Sequence, residues 1–299
     1  MSKPILVGYD PRTHDRAPVH FGVAAARFTG AELVIASVRD AGGDELIAGQ
    51  MAEELVADVG ETLHEVRGEL HAQGIAVQCR DLASTSAARA LHEAAEAEDA
   101  GLLVVGSTHR GAVGRVLPGS TAERLMHGAP CPIAVVPQGW QAGGGLRTIG
   151  VAYVDSEEGR EALRGALALA RRAEATLRVL TVAKVSAEMY AETELHKGFD
   201  EVKGEHRVWA EAAARAAVGE LDGDVPVQVD AFVEDPAQSL VRVSEHLDLL
   251  VCGSRAYGPV RAVLLGGVSR RVAAEAHCPV IVLPRGVQAS LEALMASSG

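Results

Sequence analysis

The chain has 299 residues, 48% of them hydrophobic but only 3% aromatic, and a formal net charge of −12. This length suits two domains of about 150 residues, with cores built from Ala, Val and Leu rather than from rings. The acidic balance, unopposed by any basic stripe, excludes nucleic acid as a general partner, and no apolar run approaches the ~20 residues of a membrane helix.

In chain order, Ile5-Leu6-Val7-Gly8-Tyr9 reads as a first strand with Asp10 at its carboxyl end. Met1-Ser2-Lys3-Pro4 runs straight into it and leaves no room for a secretory signal. Pro11 to Arg16 is a polar loop, and Ala17 to Phe28 has helical spacing. Leu33 to Val38 is a second buried strand. From Asp44 to Ala72 the residues Leu46, Met51, Leu55, Val59, Leu63, Val66 and Leu70 recur on one helix face, and Gly74 ends that helix. Ile75 to Cys79 is a third strand, and Ser84 or Ser86 caps the helix after it.

Leu102-Leu103-Val104-Val105 is a strand short and apolar enough to be buried on both faces, and Gly106 ends it. A loop of small residues leads to Gly119. Ser120-Thr121-Ala122-Glu123 reads as a capping box, so a helix is expected to begin at Ser120. Pro130-Cys131-Pro132 stops it, and Ile133 to Val136 is the next strand. Strand, glycine loop and helix N-terminus put unpaired backbone N–H groups where an anion can sit.

Gln138 to Gly145, with Gly139 and Gly143-Gly144-Gly145, reads as a linker too short for a flexible tether, so the halves are expected to pack together. The order then repeats. Ile149 to Val154 with Asp155, Leu177 to Val182, and Val225 to Val233 mirror the first three strands, with a long helical region from Ala187 to Leu221. Asp235-Pro236 is a strong helix start, Asp as cap and Pro in the first turn. Leu249-Leu250-Val251-Cys252-Gly253-Ser254 aligns without gaps on Leu102 to Ser107, and Cys278-Pro279 on Cys131-Pro132. A period this long is a duplicated domain, not a solenoid repeat. Leu291 and Leu294 suggest a short docked tail helix.

Five strands alternating with four helices per half predict an α/β fold: two doubly wound parallel sheets with helices on both faces. The expected boundaries are 1–138 and 146–286 for the domains, 139–145 for the linker and 287–299 for the tail.

With these residues in place, each half resembles the universal stress protein domain, and the whole chain a tandem of two. The resemblance implies a Rossmann-like sheet, an internal pseudo-dimer with Ile133–Val136 near Val280–Leu283, and further pairing of two chains. It also implies binding of ATP or a related adenine nucleotide, with Mg2+ as a candidate companion ion, or alternatively no cofactor. Nucleotide-binding members share a G-x2-G-x9-G-[S/T] pattern. An Asp ending the first strand contacts the adenosine part, and a backbone contact from the end of the second strand, here Val38, reaches the adenine.

Laid onto the chain, Gly106, Gly119 and Ser120 fit the pattern, followed by Thr121, but His109 stands where the middle glycine belongs and Gly111 comes two residues later. In the second half Gly253 and Gly266 fit, Ala256 replaces the middle glycine, and Gly267 replaces the Ser or Thr. A Cβ at a middle position that needs φ > 0 costs about 1 kcal/mol or more, or blocks the phosphate. His109 offers a ring N–H in partial compensation; in the second half only the backbone N–H groups of Gly266, Gly267 and Val268 remain. The first half is therefore expected to be the better site, with Asp10 the ligand-contacting acid and Asp155 its counterpart.

Bland readings stand beside these. The glycines also serve tight turns, Ser120 a helix cap, and both Asp residues a cap after their strands. Cys131 and Cys278 invite a redox role but read better as small buried residues, while Cys79 and Cys252 are expected in the core. Four Cys without close pairing point to a reducing, cytoplasmic setting. No metal spacing occurs among the eleven His, and no nucleophile–base–orienter set can be assembled. A regulatory binding module with an unidentified protein partner is the expected function. The alternatives are a nucleotide-free interaction module with degraded pockets, a weak ATP hydrolase, or a thiol-dependent catalyst.

Overall fold

The computed structural model describes residues 2–39, 63–107, 120–126, 128–183, 199–221, 224–253, 267–284 and 291. The chain forms two compact units, Met1–Gly143 with Gly286–Gly299, and Gly144–Arg285.

In the first unit, β1 (Ile5–Gly8), β2 (Leu33–Arg39), β3 (Val77–Ala83), β4 (Leu102–Gly106) and β5 (Ile133–Val136) lie in the order β3-β2-β1-β4-β5. Every pairing is parallel; Ile5 faces Leu33 on one side and Leu102 on the other. Ile5, Leu6 and Val7 are all fully buried. Neighbouring residues of a strand point to opposite faces, so both faces of this sheet are covered. The covering helices are α1 (Ala17–Thr29), α2 (residues 63–72), α3 (Ala87–Ala97) and α4 (Ser120–Met126). Leu63, Val66 and Leu70 of α2 are buried, as their spacing predicts. Residues 44–62 of the expected long helix lie outside the described residues.

The second unit repeats this plan with β6 (Thr148–Tyr153), β7 (Thr176–Ala183), β8 (Val227–Val233), β9 (Leu249–Gly253) and β10 (Val280–Leu283), ordered β8-β7-β6-β9-β10, again all parallel. Its helices are α5 (Glu157–Ala173), α6 (Phe199–Gly219), α7 (Pro236–Ser244) and α8 (Gly267–Glu275). Asp235 caps α7 as expected, accepting the Gln238 N–H at 2.9 Å. The expected start of α6 at Ala187 and Leu294 of the tail lie outside the described residues, whereas Leu291 is helical and buried.

Two expectations need correction. The third strand runs from Val77 to Ala83 rather than Ile75 to Cys79, and Cys79 is half-buried rather than core. Both follow from β3 being an edge strand. Its burial alternates, and its polar residues are held by neighbours, as in the Arg39–Asp81 ion pair at 2.8 Å. A reading by apolar runs slides such a strand toward its more hydrophobic end.

No helix among the described residues is long and apolar enough to cross a membrane. Cys131, Cys252 and Cys278 are buried, and burial pushes each thiol up to about 12. A thiol held protonated is a poor nucleophile, so their environment favours packing over redox chemistry.

Candidate functional site

In the first unit the chain runs from β1 out to β3 on one side, then returns to β4 and β5 on the other. The strand order therefore reverses between β1 and β4, and parallel sheets bind ligands at the carboxyl ends of strands flanking such a reversal. A hollow of about 300 Å³ lies there. Asp10, Val38, Gly106 and Thr121 all line it, so four residues picked from distant parts of the sequence meet in one place. Its other walls include Leu91 on α3, Pro18 on α1, Gln138 after β5, and the loop that joins β1 to α1.

Local sequence builds these walls. Asp10 caps a 3-10 turn at Pro11–Thr13, accepting the Arg12 N–H at 3.1 Å, so the capping role and a place in the hollow coexist. The Arg12 guanidinium also reaches the carboxylate, Nε at 2.8 Å and Nη2 at 3.1 Å. The Thr13 hydroxyl donates to the Asp10 carbonyl at 2.7 Å and accepts the Asp15 N–H at 3.3 Å. Pro18 then fixes where α1 starts. Proline is tolerated in a first turn but breaks a helix interior, so α1 cannot extend far back toward β1. Gly106 is spared a side chain by this helix: a Cβ there would lie 3.0 Å from Pro18 Cγ. Leu91 likewise sits over Gly8, where a Cβ would lie 2.7 Å from its Cδ1.

Tyr9 is buried beside Arg16; burial raises its phenol and the guanidinium opposes that rise. Arg16 in turn pairs with Glu69 of α2. Of the other sequence-picked residues, His109 and Gly119 lie outside the described residues, and Ser120 opens α4. Sequence reasoning missed Arg12, Thr13, Asp15 and Gln138, all of which line the hollow. The Asp-Pro start of the 3-10 turn and Pro18 at the head of a helix were the available signals.

The second unit differs at the same place. Sheet register aligns Ile149 with Ile5, since each faces the leading Leu of its neighbouring strands. Tyr153 then matches Tyr9 and Val154 matches Asp10, which puts Asp155 one residue further on. It is occupied there by Arg160 at 2.7 Å and the Tyr153 hydroxyl at 3.4 Å. Both first helices end on a left-handed residue, Gly30 and Glu174, yet α5 has 17 residues against 13 in α1. The extra turn replaces the Thr13–Arg16 loop. It presses on the end of β9, where a Cβ on Gly253 would lie 3.3 Å from the Glu158 carbonyl oxygen. The buried Ser269 hydroxyl donates to the Gly253 carbonyl at 3.0 Å. Gly267 and Val268 open α8, and Gly266 lies outside the described residues. Among the described residues no cluster of His, Cys, Asp or Glu could hold a metal ion.

Fold and hollow define a class: a duplicated parallel α/β protein with a ligand-sized recess at the switch point of its first sheet. The universal stress protein family model matches the chain twice, over residues 1–137 and 145–284. The chain belongs to the universal stress protein family and carries two of its domains in tandem. A universal stress protein of Mycobacterium tuberculosis is 28% identical over 299 residues, which cover 94% of this chain and 99% of that protein. The crystal structure of a universal stress protein from Archaeoglobus fulgidus has the same fold, with TM-score 0.70 at 19% identity, covering 96% of this chain and all of that one. A single-domain match, at 23% identity and TM-score 0.32 over 47% of this chain and 98% of that one, is to a universal stress protein in complex with cAMP.

Proposed function

We propose that the hollow of the first unit binds ATP or a related adenine nucleotide, with or without Mg2+. Occupancy then alters which protein partner the molecule engages in a stress response. The observation that carries this reading is the convergence of Asp10, Val38, Gly106 and Thr121 on one recess of about 300 Å³ at the strand-order reversal.

The residues fit the group. Val38 and Leu91 give an apolar wall for a base, and Asp10, Thr13 and Thr121 give the polar groups a sugar needs. The volume is at the lower end of ligand pockets, about 300–1,000 Å³, and suits the adenosine part. Arg12 is the cation among the described lining residues, beside the carboxylates of Asp10 and Asp15. His109, Arg110 and Arg115 lie in the sequence between Ser107 and Thr121, which both line the hollow. Preference for the first unit is supported by the extra helical turn and the Ser269–Gly253 hydrogen bond at the corresponding place in the second.

Calorimetric titration of ATP into the full chain, in Mg2+ and in EDTA, tests the reading. A saturable heat is expected. Melting should also be raised, with about 2.7 kcal/mol of stabilisation at one hundred times Kd. Asp10→Ala should weaken both signals. No heat and no rise in Tm at millimolar ATP would overturn the reading and favour a nucleotide-free interaction module.

A further inference from the structure

The chain leaves β5 through a tight turn that belongs to the hollow. The Trp140 N–H donates to the Pro137 carbonyl at 3.1 Å, and Gly139, third in the turn, has φ of +72°. A left-handed third residue marks a type II turn, and glycine adopts it without a Cβ penalty. The turn sets three groups onto the first unit. Gln138 lines the hollow. The Gly139 N–H donates to Asp15 Oδ1 at 3.2 Å. The Trp140 ring meets Phe21 of α1 edge-on, centroids 5.5 Å apart and planes at 65°.

Asp15 links this turn to the heart of the site. Its Oδ1 also accepts the Ala17 N–H at 3.1 Å, which holds the first turn of α1. Through Thr13, two further hydrogen bonds lead back to the carbonyl of Asp10. The other walls are strand ends, helices and the loop between β1 and α1. The turn lies outside the strand ladder and is held onto the first unit by a carboxylate–amide bond and a ring pair.

We propose that the Pro137–Trp140 turn is a ligand-sensitive latch. Gln138 contacts an adenine nucleotide in the first hollow, and the contact tightens the turn through Asp15 and the Trp140–Phe21 pair. Binding is thereby handed to the connector that leads into the second unit. This inference rests on the nucleotide reading above, and it makes Gln138 a ligand-binding residue and Asp15 a positioning residue. Coupling is reciprocal: if the ligand tightens the turn, loosening the turn weakens the ligand.

The chain has two Trp, and Trp209 is 68% exposed on α6, so Trp209→Phe in the full chain leaves Trp140 as the single reporter. ATP is titrated into this variant while Trp140 emission and calorimetric heat are followed on the same sample. A saturable emission change with the calorimetric midpoint is expected. Trp140→Ala and Gln138→Ala, each made in the wild-type background, should weaken ATP about fivefold or more in calorimetry. Asp15→Asn, which keeps an acceptor, should weaken it less than Asp15→Ala. Heat without any emission change, with affinity unaltered by Trp140→Ala, overturns the latch and leaves the nucleotide reading intact. Absence of heat overturns both.

Discussion

Arg12 grips the carboxylate of Asp10 from two residues away, Nε on Oδ1 at 2.8 Å and Nη2 on Oδ2 at 3.1 Å. The Asp10 carboxylate is thus oriented by a planar fork at the rim of the hollow. Both side chains are partly exposed, so the pair contributes no more than about 1 kcal/mol to stability. Its larger effect is on charge, because Asp10 and Asp15 both line the hollow. Arg12→Ala should lower ATP affinity several-fold while moving Tm by no more than about 4 °C, as calorimetry and thermal melting of the same sample would reveal. Unchanged affinity would remove Arg12 from the site.

Gly159 and Gly106 should respond differently to a methyl group. A Cβ on Gly159 would lie 1.9 Å from the Val154 carbonyl oxygen, a backbone atom that cannot step aside. On Gly106 the nearest atom is Pro18 Cγ at 3.0 Å, on a ring that can shift a little. Gly106→Ala should cost about 1–3 kcal/mol and Gly159→Ala about 3 kcal/mol or more. Denaturant unfolding decides the order, and equal costs would mean that the Val154 carbonyl beside Gly159 yields as readily as the Pro18 ring beside Gly106.

Cys131, Cys252 and Cys278 make stability pH-dependent on the alkaline side. In the unfolded chain these thiols ionise near 9, whereas the fold holds them protonated to about 12. Between those values the unfolded state binds fewer protons than the native one, so stability falls as pH rises through that window and is unaffected below it. Denaturation midpoints measured at pH 7, 9 and 10.5 should fall a little between the first two, by about 1 kcal/mol in all, and much further by the third. Cys131→Ala, compared with itself across the series, should show a shallower alkaline loss. A thiol reagent at pH 7.5 should label half-buried Cys79 well before the other three.

Asp235 caps α7 through the Gln238 N–H and also meets Arg271 Nη1 at 3.3 Å. Asp235→Ala should cost about 1 kcal/mol, and Asp235→Asn less, since the amide oxygen still caps and the exposed ion pair adds little. Thermal melting of both variants separates cap from charge.

The central strands were legible because a parallel sheet covered on both faces demands unbroken apolar runs. The runs at Ile5, Leu33, Leu102 and Ile133 each begin the strand expected of them. The edge was less legible. Residues such as Arg80 and Asp81 sit in the β3 ladder and are satisfied by partners that only the folded register supplies. Of the residues lining the hollow, Asp10, Val38, Gly106 and Thr121 were named from the sequence and its family resemblance. Arg12, Asp15 and Gln138 were not, because they line the hollow through a short turn and a connector whose residues carry no periodicity.

The sequence by itself determined the duplication, the buried strands and the family, since each depends on residue order and local hydrophobic spacing. Tertiary structure alone decided that the halves differ by one helical turn at the head of the first helix. Where a helix begins is a contest among Pro18, the Asp10 cap and the space beside Gly106, and these meet only once β1 and β4 lie side by side.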